Sequence, residues 1–414
     1  MKRLLCLLFV ALPALGQHEH HHDDATLDPA ANFLMRQASG TGTNPEAERE
    51  HVMFGAGSWQ LMLHGLASVN SLRATGPRGG EKDFSTNWGM LMAQRPLGGG
   101  HLMLRTMLSL EPATISGRRY PELFQTGETA FGRPLIDGQH PHDLFMELAA
   151  EYARAFGTYR FVYLYVAPVG DPALGPVAFP HRDSANEIPQ ATLGHHFEDS
   201  THITSNVITA GAGFGALRFE ASAFHGAEPD EERWDLDGGA LDSASARLVI
   251  TPIPSLVAQI SGGYLTRPEK LEPGDQTRAS ASVAYTRGGW STSAIWGRVY
   301  KESHDNTVQA LLLESTLRVL RRHTLSLRLE QTEKDELFPH PHRTGRIERP
   351  ALPVPTFRVK AATAGYTFDF IRRGALRVGA GGNYTWYRFP AILNGFYGER
   401  PRTRVLFVRA RLGA

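Results

Sequence analysis

The chain has 414 residues and a formal net charge of +1, from 43 basic and 42 acidic side chains. That balance argues against nucleic acid as the main partner, and no apolar run reaches the roughly 18 residues that a membrane-spanning helix needs. The only cysteine is Cys6, so the chain beyond it has neither disulfides nor thiolate metal sites.

The N-terminus reads as an export signal over residues 1–16. Met1-Lys2-Arg3 is a basic start, Leu4 to Leu15 is apolar, and Ala14-Leu15-Gly16 fits a small-x-small cleavage site with a mature start near Gln17. Residues 17–56 read as a disordered periplasmic arm with one short helical turn near Asn32 to Gln37. Its His18, His20, His21 and His22 alternate with Glu19, Asp23 and Asp24, a composition suited to weak metal capture.

From residue 57 to 414 the pattern changes to a period of two. In Leu325-Ser326-Leu327-Arg328-Leu329-Glu330, leucines point one way and polar residues the other, as in a half-buried strand. About sixteen such stretches follow one another with hardly a helical segment between them. They begin with Trp59 to Val69, Trp88 to Arg95 and Leu102 to Leu110, and end with Arg402 to Leu412. Tight turns follow the even-numbered strands. Long polar loops follow the odd ones, among them Arg73 to Asp83, Pro112 to Asp143, Pro168 to His202 and Gly226 to Leu241, the exception being the short Ser303 to Asn306 link.

This alternation predicts an all-β fold: a transmembrane, antiparallel, up-and-down barrel with short periplasmic turns and long extracellular loops. Both termini would then be periplasmic and outer-membrane lipid the surrounding partner. The predicted lumen is mixed in charge, lined by Arg105, Glu147, Arg218, Glu220, Arg247, Arg298, Glu314, Arg318, Arg328, Glu330 and Arg377. Tyr159, Trp290, Trp296, Tyr300, Tyr384 and Trp386 are the girdle aromatics.

Chemistry concentrates in the long loops. They hold His140 and His142 in Gln139-His140-Pro141-His142-Asp143, His181 in Phe179-Pro180-His181-Arg182, and His195, His196 and His202 in the segment 194–202. His340 and His342 lie in a later loop. Imidazole beside carboxylate suits copper, zinc or nickel, so His140, His142, His181, His195, His196 and His202 are the candidate ligands. A network that only folds the loops into the barrel mouth is the alternative. Asp199-Ser200-Thr201-His202, with Ser205 and Asn206, also admits a lipid hydrolase acting through Ser200, although no oxyanion donor is identifiable.

The segments Gln125-Thr126-Gly127-Glu128-Thr129-Ala130-Phe131-Gly132, Gln139-His140-Pro141-His142-Asp143-Leu144-Phe145-Met146-Glu147-Leu148 and Gly175-Pro176-Val177-Ala178-Phe179-Pro180-His181-Arg182 carry a resemblance. So do Leu193-Gly194-His195-His196 with Asp199-Ser200-Thr201-His202, and Phe224-His225-Gly226 with Glu228-Pro229-Asp230-Glu231. Together they resemble an uncharacterised family of Gram-negative outer-membrane β-barrel proteins over most of the chain. The resemblance implies a barrel fold and a metal-linked, copper-associated role with His-rich N-termini, somewhat like copper-resistance barrels. The expected function is a porin-like channel or a metal-handling surface protein, not an enzyme, with small solutes or metal ions as partners. A lipid hydrolase and a non-conducting structural barrel are the alternatives; self-association of barrels is left open.

Overall fold

The computed structural model describes residues 28–46, 52–272, 274–338 and 355–413. Sixteen long strands close into one antiparallel barrel. In chain order they are β1 (Trp59–Ala74), β2 (Glu81–Leu97), β3 (Gly100–Leu108), β4 (Phe145–Ala155), β5 (Arg160–Gly170), β6 (Thr204–Phe214), β7 (Leu217–Phe224) and β8 (Ser243–Ile253). There follow β9 (Leu256–Leu265), β10 (Gln276–Arg287), β11 (Trp290–Lys301), β12 (Asn306–Val319), β13 (His323–Lys334), β14 (Phe357–Arg373), β15 (Leu376–Arg388) and β16 (Arg402–Leu412). Each pairs with its neighbour in sequence, and β16 closes on β1 through Leu412↔Gly65, Val408↔Val69 and Thr403↔Ala74. A short strand, Val52–Ala56, extends the seam along the start of β1.

The turns explain the register. Gly288 and Gly289 have φ of 59° and 87°, the left-handed pair that a two-residue hairpin needs to match strand twist. They hold Arg287 opposite Trp290. The two- to four-residue turns after the even-numbered strands lie on one rim, with both ends of the barrel chain; the long loops leave the other rim, together with the short links between β1 and β2 and between β11 and β12.

The two faces follow the alternation. Leu325, Leu327 and Leu329 are exposed on the outside, as are Leu406 and Val408, while Ser326, Arg328 and Arg409 are buried within. An apolar outer face round a closed barrel is built for lipid, because no sheet edge is left unpaired. One lumen assignment is corrected. Arg298 stands on the outer face, exposed, because β11 places Ser291, Ser293, Ile295, Val299 and Lys301 inside. It is three residues from the loop-side end of β11, where its long side chain can reach the polar boundary.

Two further departures concern what fills the barrel. β1 and β2 run on to Ala74 and back from Glu81, so the loop predicted from Arg73 to Asp83 is a short turn. Here inward positions become apolar: Leu72, Phe84, Val405 and Phe407 pack against Ile115 and Tyr120 of an inward-folded loop. The predicted disordered arm is also corrected for residues 28–46. Helix α1 (Pro29–Met35) is capped by Asp28, whose Oδ1 accepts from Ala30 N at 2.8 Å. Its Ala30, Phe33 and Leu34 bury against Met62, Met90, Met92, Met103, Met107 and Met146 on the inner faces of β1–β4. Covering a side chain such as Phe33 is worth about 1.5–3 kcal/mol. The signal segment, residues 17–27 with His18, His20, His21 and His22, and the loop residues His340 and His342 lie outside the described residues.

After α1 the chain makes a small hairpin, Gln37↔Thr43 and Ser39↔Gly42, that points up the lumen. Its start and finish lie at the turn rim: Asp28 is 3.7 Å from His101, and Glu46 N donates to Pro254 O.

Candidate functional site

The loop between β5 and β6, residues 171–203, folds into the lumen instead of standing above it. Two buried arginines fasten it. Arg182 Nε donates to Glu314 of β12 at 2.7 Å and its Nη1 to Asp199 at 2.8 Å; Arg328 of β13 donates to the other oxygen of Glu314 at 2.8 Å. Arg328 Nη1 also donates to the carbonyls of Gln190 and Ala191. The strand arginines and acids therefore pair with one another and with the loop, instead of lining an open water column.

The hairpin meets this loop in mid-lumen. Ser39 Oγ donates to Asp171 at 2.9 Å, and Asn44 Nδ2 donates to the carbonyl of His181 at 2.8 Å. Gly40, at φ 48°, lies so close to Asp171 that a Cβ would fall 2.3 Å from its carbonyl oxygen. Arg247 and Arg218 hold Thr41 from the barrel wall. One element from each rim thus enters the lumen, and the two meet there.

The six loop histidines predicted from sequence are all at most 8% exposed. Five of them form a file. Ring centroids are 6.4 Å apart for His140–His196, 5.1 Å for His195–His196, 5.3 Å for His195–His202 and 5.3 Å for His142–His202. His181 stands apart, its ring edge-on to Trp88 at 4.3 Å beside the methionine cluster.

In four of the five, the same ring nitrogen is fixed by an oxygen acceptor. Nδ1 of His140 lies 2.9 Å from Pro141 O, that of His142 2.9 Å from Glu111, that of His195 2.6 Å from Asp199, and that of His202 2.9 Å from Asp199 O. A carbonyl or carboxylate there can only accept, so Nδ1 carries the proton. In the neutral ring the far nitrogen, Nε2, is left with a lone pair, the usual orientation of metal-binding imidazoles; that of His140 instead faces Glu128 Oε1 at 2.8 Å. Among the described residues, Nε2 of His142 and His202 has no hydrogen-bond partner.

Burial sets the charge. It holds His202 and His196 well below the ordinary imidazole range, helped by the neighbouring His195, and lowers His181 to about 3 with help from His142 and His64. Burial opposes charge on His142 too, but Glu111 beside it prevails and raises its pKa. Most of the file is therefore neutral at physiological pH.

Sequence reasoning missed Glu111, Glu128, Asp171 and the hairpin. Glu111 and Glu128 sit in the loop after β3, the same loop as His142 and His140, which they face across its fold. The Ser200 constellation does not assemble as a hydrolase would need: Ser200 Oγ accepts from Arg278 Nη1 at 2.6 Å, while His202 turns its Nδ1 to Asp199 O.

No family model matches the chain, and no curated protein matches it. Solved structures do. OmpF of Salmonella typhi, in a complex with daunomycin, aligns with a TM-score of 0.54 at 9% identity, covering 87% of this chain and 100% of that one. An anion-selective porin from Comamonas acidovorans aligns at 0.49 and 11% identity, covering 86% and 100%. Outer-membrane expressed OmpT of Vibrio cholerae aligns at 0.49 and 8%, covering 87% and 100%. At such identity the OmpF likeness concerns the backbone alone, and in backbone the chain has the closed antiparallel barrel fold of an outer-membrane porin.

Proposed function

We propose that the protein is a porin-like outer-membrane barrel that passes small cations, metal ions among them, through a lumen closed at rest. The observation that carries this reading is the file of five buried, mostly neutral imidazoles inside the barrel. Neutral imidazole with a free nitrogen serves a cation and has little to offer an anion. The short turns and both chain ends would face the periplasm, as in bacterial barrels, so the hairpin of residues 37–43 would be a periplasmic stopper.

The test is conductance of the refolded full-length protein in planar bilayers, beside a Gly40→Val variant. A β-branched side chain at φ 48° and 2.3 Å from Asp171 O unseats the hairpin tip. The wild type should conduct weakly and the variant at least several-fold more, with cations preferred. A barrel that stays silent in both forms would be structural, and a wild type already as conductive as a wide porin would remove the stopper.

A further inference from the structure

We propose that Glu128, His140 and His196 form a capture site for a divalent late first-row transition cation, zinc or copper(II), at the floor of an acidic cleft on the long-loop rim. This deepens the cation reading above, but binding at the site can be measured without any transport.

Two long loops supply the donors: the loop between β3 and β4 gives Glu128 and His140, and the loop between β5 and β6 gives His196. One oxygen of Glu128, Nε2 of His140 and a ring nitrogen of His196 all lie within 4.8 Å of one another. The closest pair, Glu128 Oε1 and His140 Nε2, is 2.8 Å apart. In a tetrahedral site with bonds of about 2.0–2.1 Å, donors sit about 3.3 Å apart. The set therefore needs only a small side-chain adjustment to share one ion. His196 supplies the independent sign of a ligand: it is 4% exposed, and neither ring nitrogen has a hydrogen-bond partner among the described residues. Two unsatisfied polar atoms buried at that depth are costly unless something completes them. A fourth donor is at hand in Glu228, whose Oε1 is 3.8 Å from His196 Nδ1 and 3.6 Å from Arg278 Nη2.

The surroundings hold these groups in place. His140 Nδ1 is tied to Pro141 O, so Nε2 is the nitrogen aimed at Glu128. Arg233 takes the second oxygen of Glu128 at 3.3 Å and Asp143 at 3.0 Å, which fixes the carboxylate from behind. Gly127, at φ 111°, leaves room for the imidazole of His196: a Cβ there would fall 2.5 Å from the ring. The donor set, two imidazoles and one or two carboxylates with no sulfur, suits a borderline cation better than a soft one.

Access comes from the cleft. It has a volume of about 570 Å³, and Glu128 and Glu228 belong to its wall. Glu269, Glu272, Asp335 and Glu336 also line it, and the three glutamates converge on one another; Lys301 is ion-paired to Glu272, Asp335 and Glu336, and Arg267 and Lys270 stand in the same wall. An acid-lined concavity raises the local concentration of cations, and Glu128 is the donor of the set that belongs to its wall.

The test is isothermal titration of zinc chloride, and separately of copper(II) chloride, into the full-length protein in detergent. His18, His20, His21 and His22 are replaced by Ala so that the N-terminal run does not contribute. One equivalent should bind, and His196→Ala, His140→Ala and Glu128→Gln should each weaken it at least tenfold. His323→Ala, on a strand end away from the cleft, should leave it unchanged. Each variant is first shown to keep the heat-modifiable mobility of a folded barrel, with His196→Gln as the substitute if alanine does not fold. X-ray absorption of the zinc complex should show two imidazoles in an all-nitrogen-and-oxygen shell. Absence of stoichiometric binding, or binding indifferent to all three substitutions, overturns the site. Binding that disappears with them while cation conductance persists retains the site and separates it from the passage.

Discussion

At the scale of single residues, Glu314 shows how the loop is held in the lumen. It receives Arg182 from the loop and Arg328 from the neighbouring strand, and all three are buried. Replacing it by Gln leaves two buried guanidiniums with a single neutral acceptor between them, although Arg182 keeps Asp199. Removing one partner of a buried pair costs about 3–5 kcal/mol. We expect Glu314→Gln to release the loop without opening the barrel. Hydrogen exchange should accelerate across residues 178–193 while the strand amides stay protected; an unchanged loop would show that the clamp is redundant. The same scale explains what was legible. His140, His142, His181, His195, His196 and His202 declare themselves by residue type, and all are indeed interior. Glu111 and Glu128 do not, since an acid in a polar loop is ordinary until the fold sets it against an imidazole.

At the scale of elements, the inward loop is a titratable one. Burial holds His202 far below the ordinary range and His181 at about 3, so each takes up a proton more readily once released from the fold. Stability from these groups is full above about pH 6.5, where unfolded imidazole is also neutral. It is lost as the pH falls through that value toward their folded pKa. His142 has the opposite sign. Raised by Glu111, it contributes below about pH 6.5 and loses that contribution as the pH rises. Among the imidazoles the lowered groups prevail, so their contribution falls on acidification from pH 7.5 to 5, while the carboxyls of Asp171 and Glu198, raised by burial, contribute with the opposite sign. Measured by loop amide exchange corrected for intrinsic rates, a His181→Leu variant should lose less protection, or gain more, between pH 7.5 and 5 than the wild type. An equal change in the two proteins would contradict the neutral assignment.

At the scale of the whole molecule, the barrel is a partition between two solvents. Leu327 is 41% exposed on the outer face of β13, between Leu325 and Leu329. Arginine there would stand in hydrocarbon and cost about 2–4 kcal/mol near the mid-plane. We expect Leu327→Arg to lower the unfolding free energy of the barrel folded in lipid vesicles by that amount, read as a lower urea midpoint. A midpoint unaffected by the charge would argue that this face is not in lipid.

The sequence by itself determined the sixteen strands, their order and, save for Arg298, the facing of the residues it assigned to the lumen. A strand's side-chain period and its turn glycines are local properties, written within ten or so residues. What only the tertiary structure decided is the content of the barrel. Leu72, Phe84, Val405 and the six methionines break the polar-in rule because α1 and two loops pack against them, so the lumen there is a core and not a water column. The hairpin of residues 37–43 reads as polar linker because its partners, Asp171, Arg218 and Arg247, lie more than a hundred residues away. Long-range pairing of that kind leaves no periodic trace in the chain; it exists only once the barrel has closed around it.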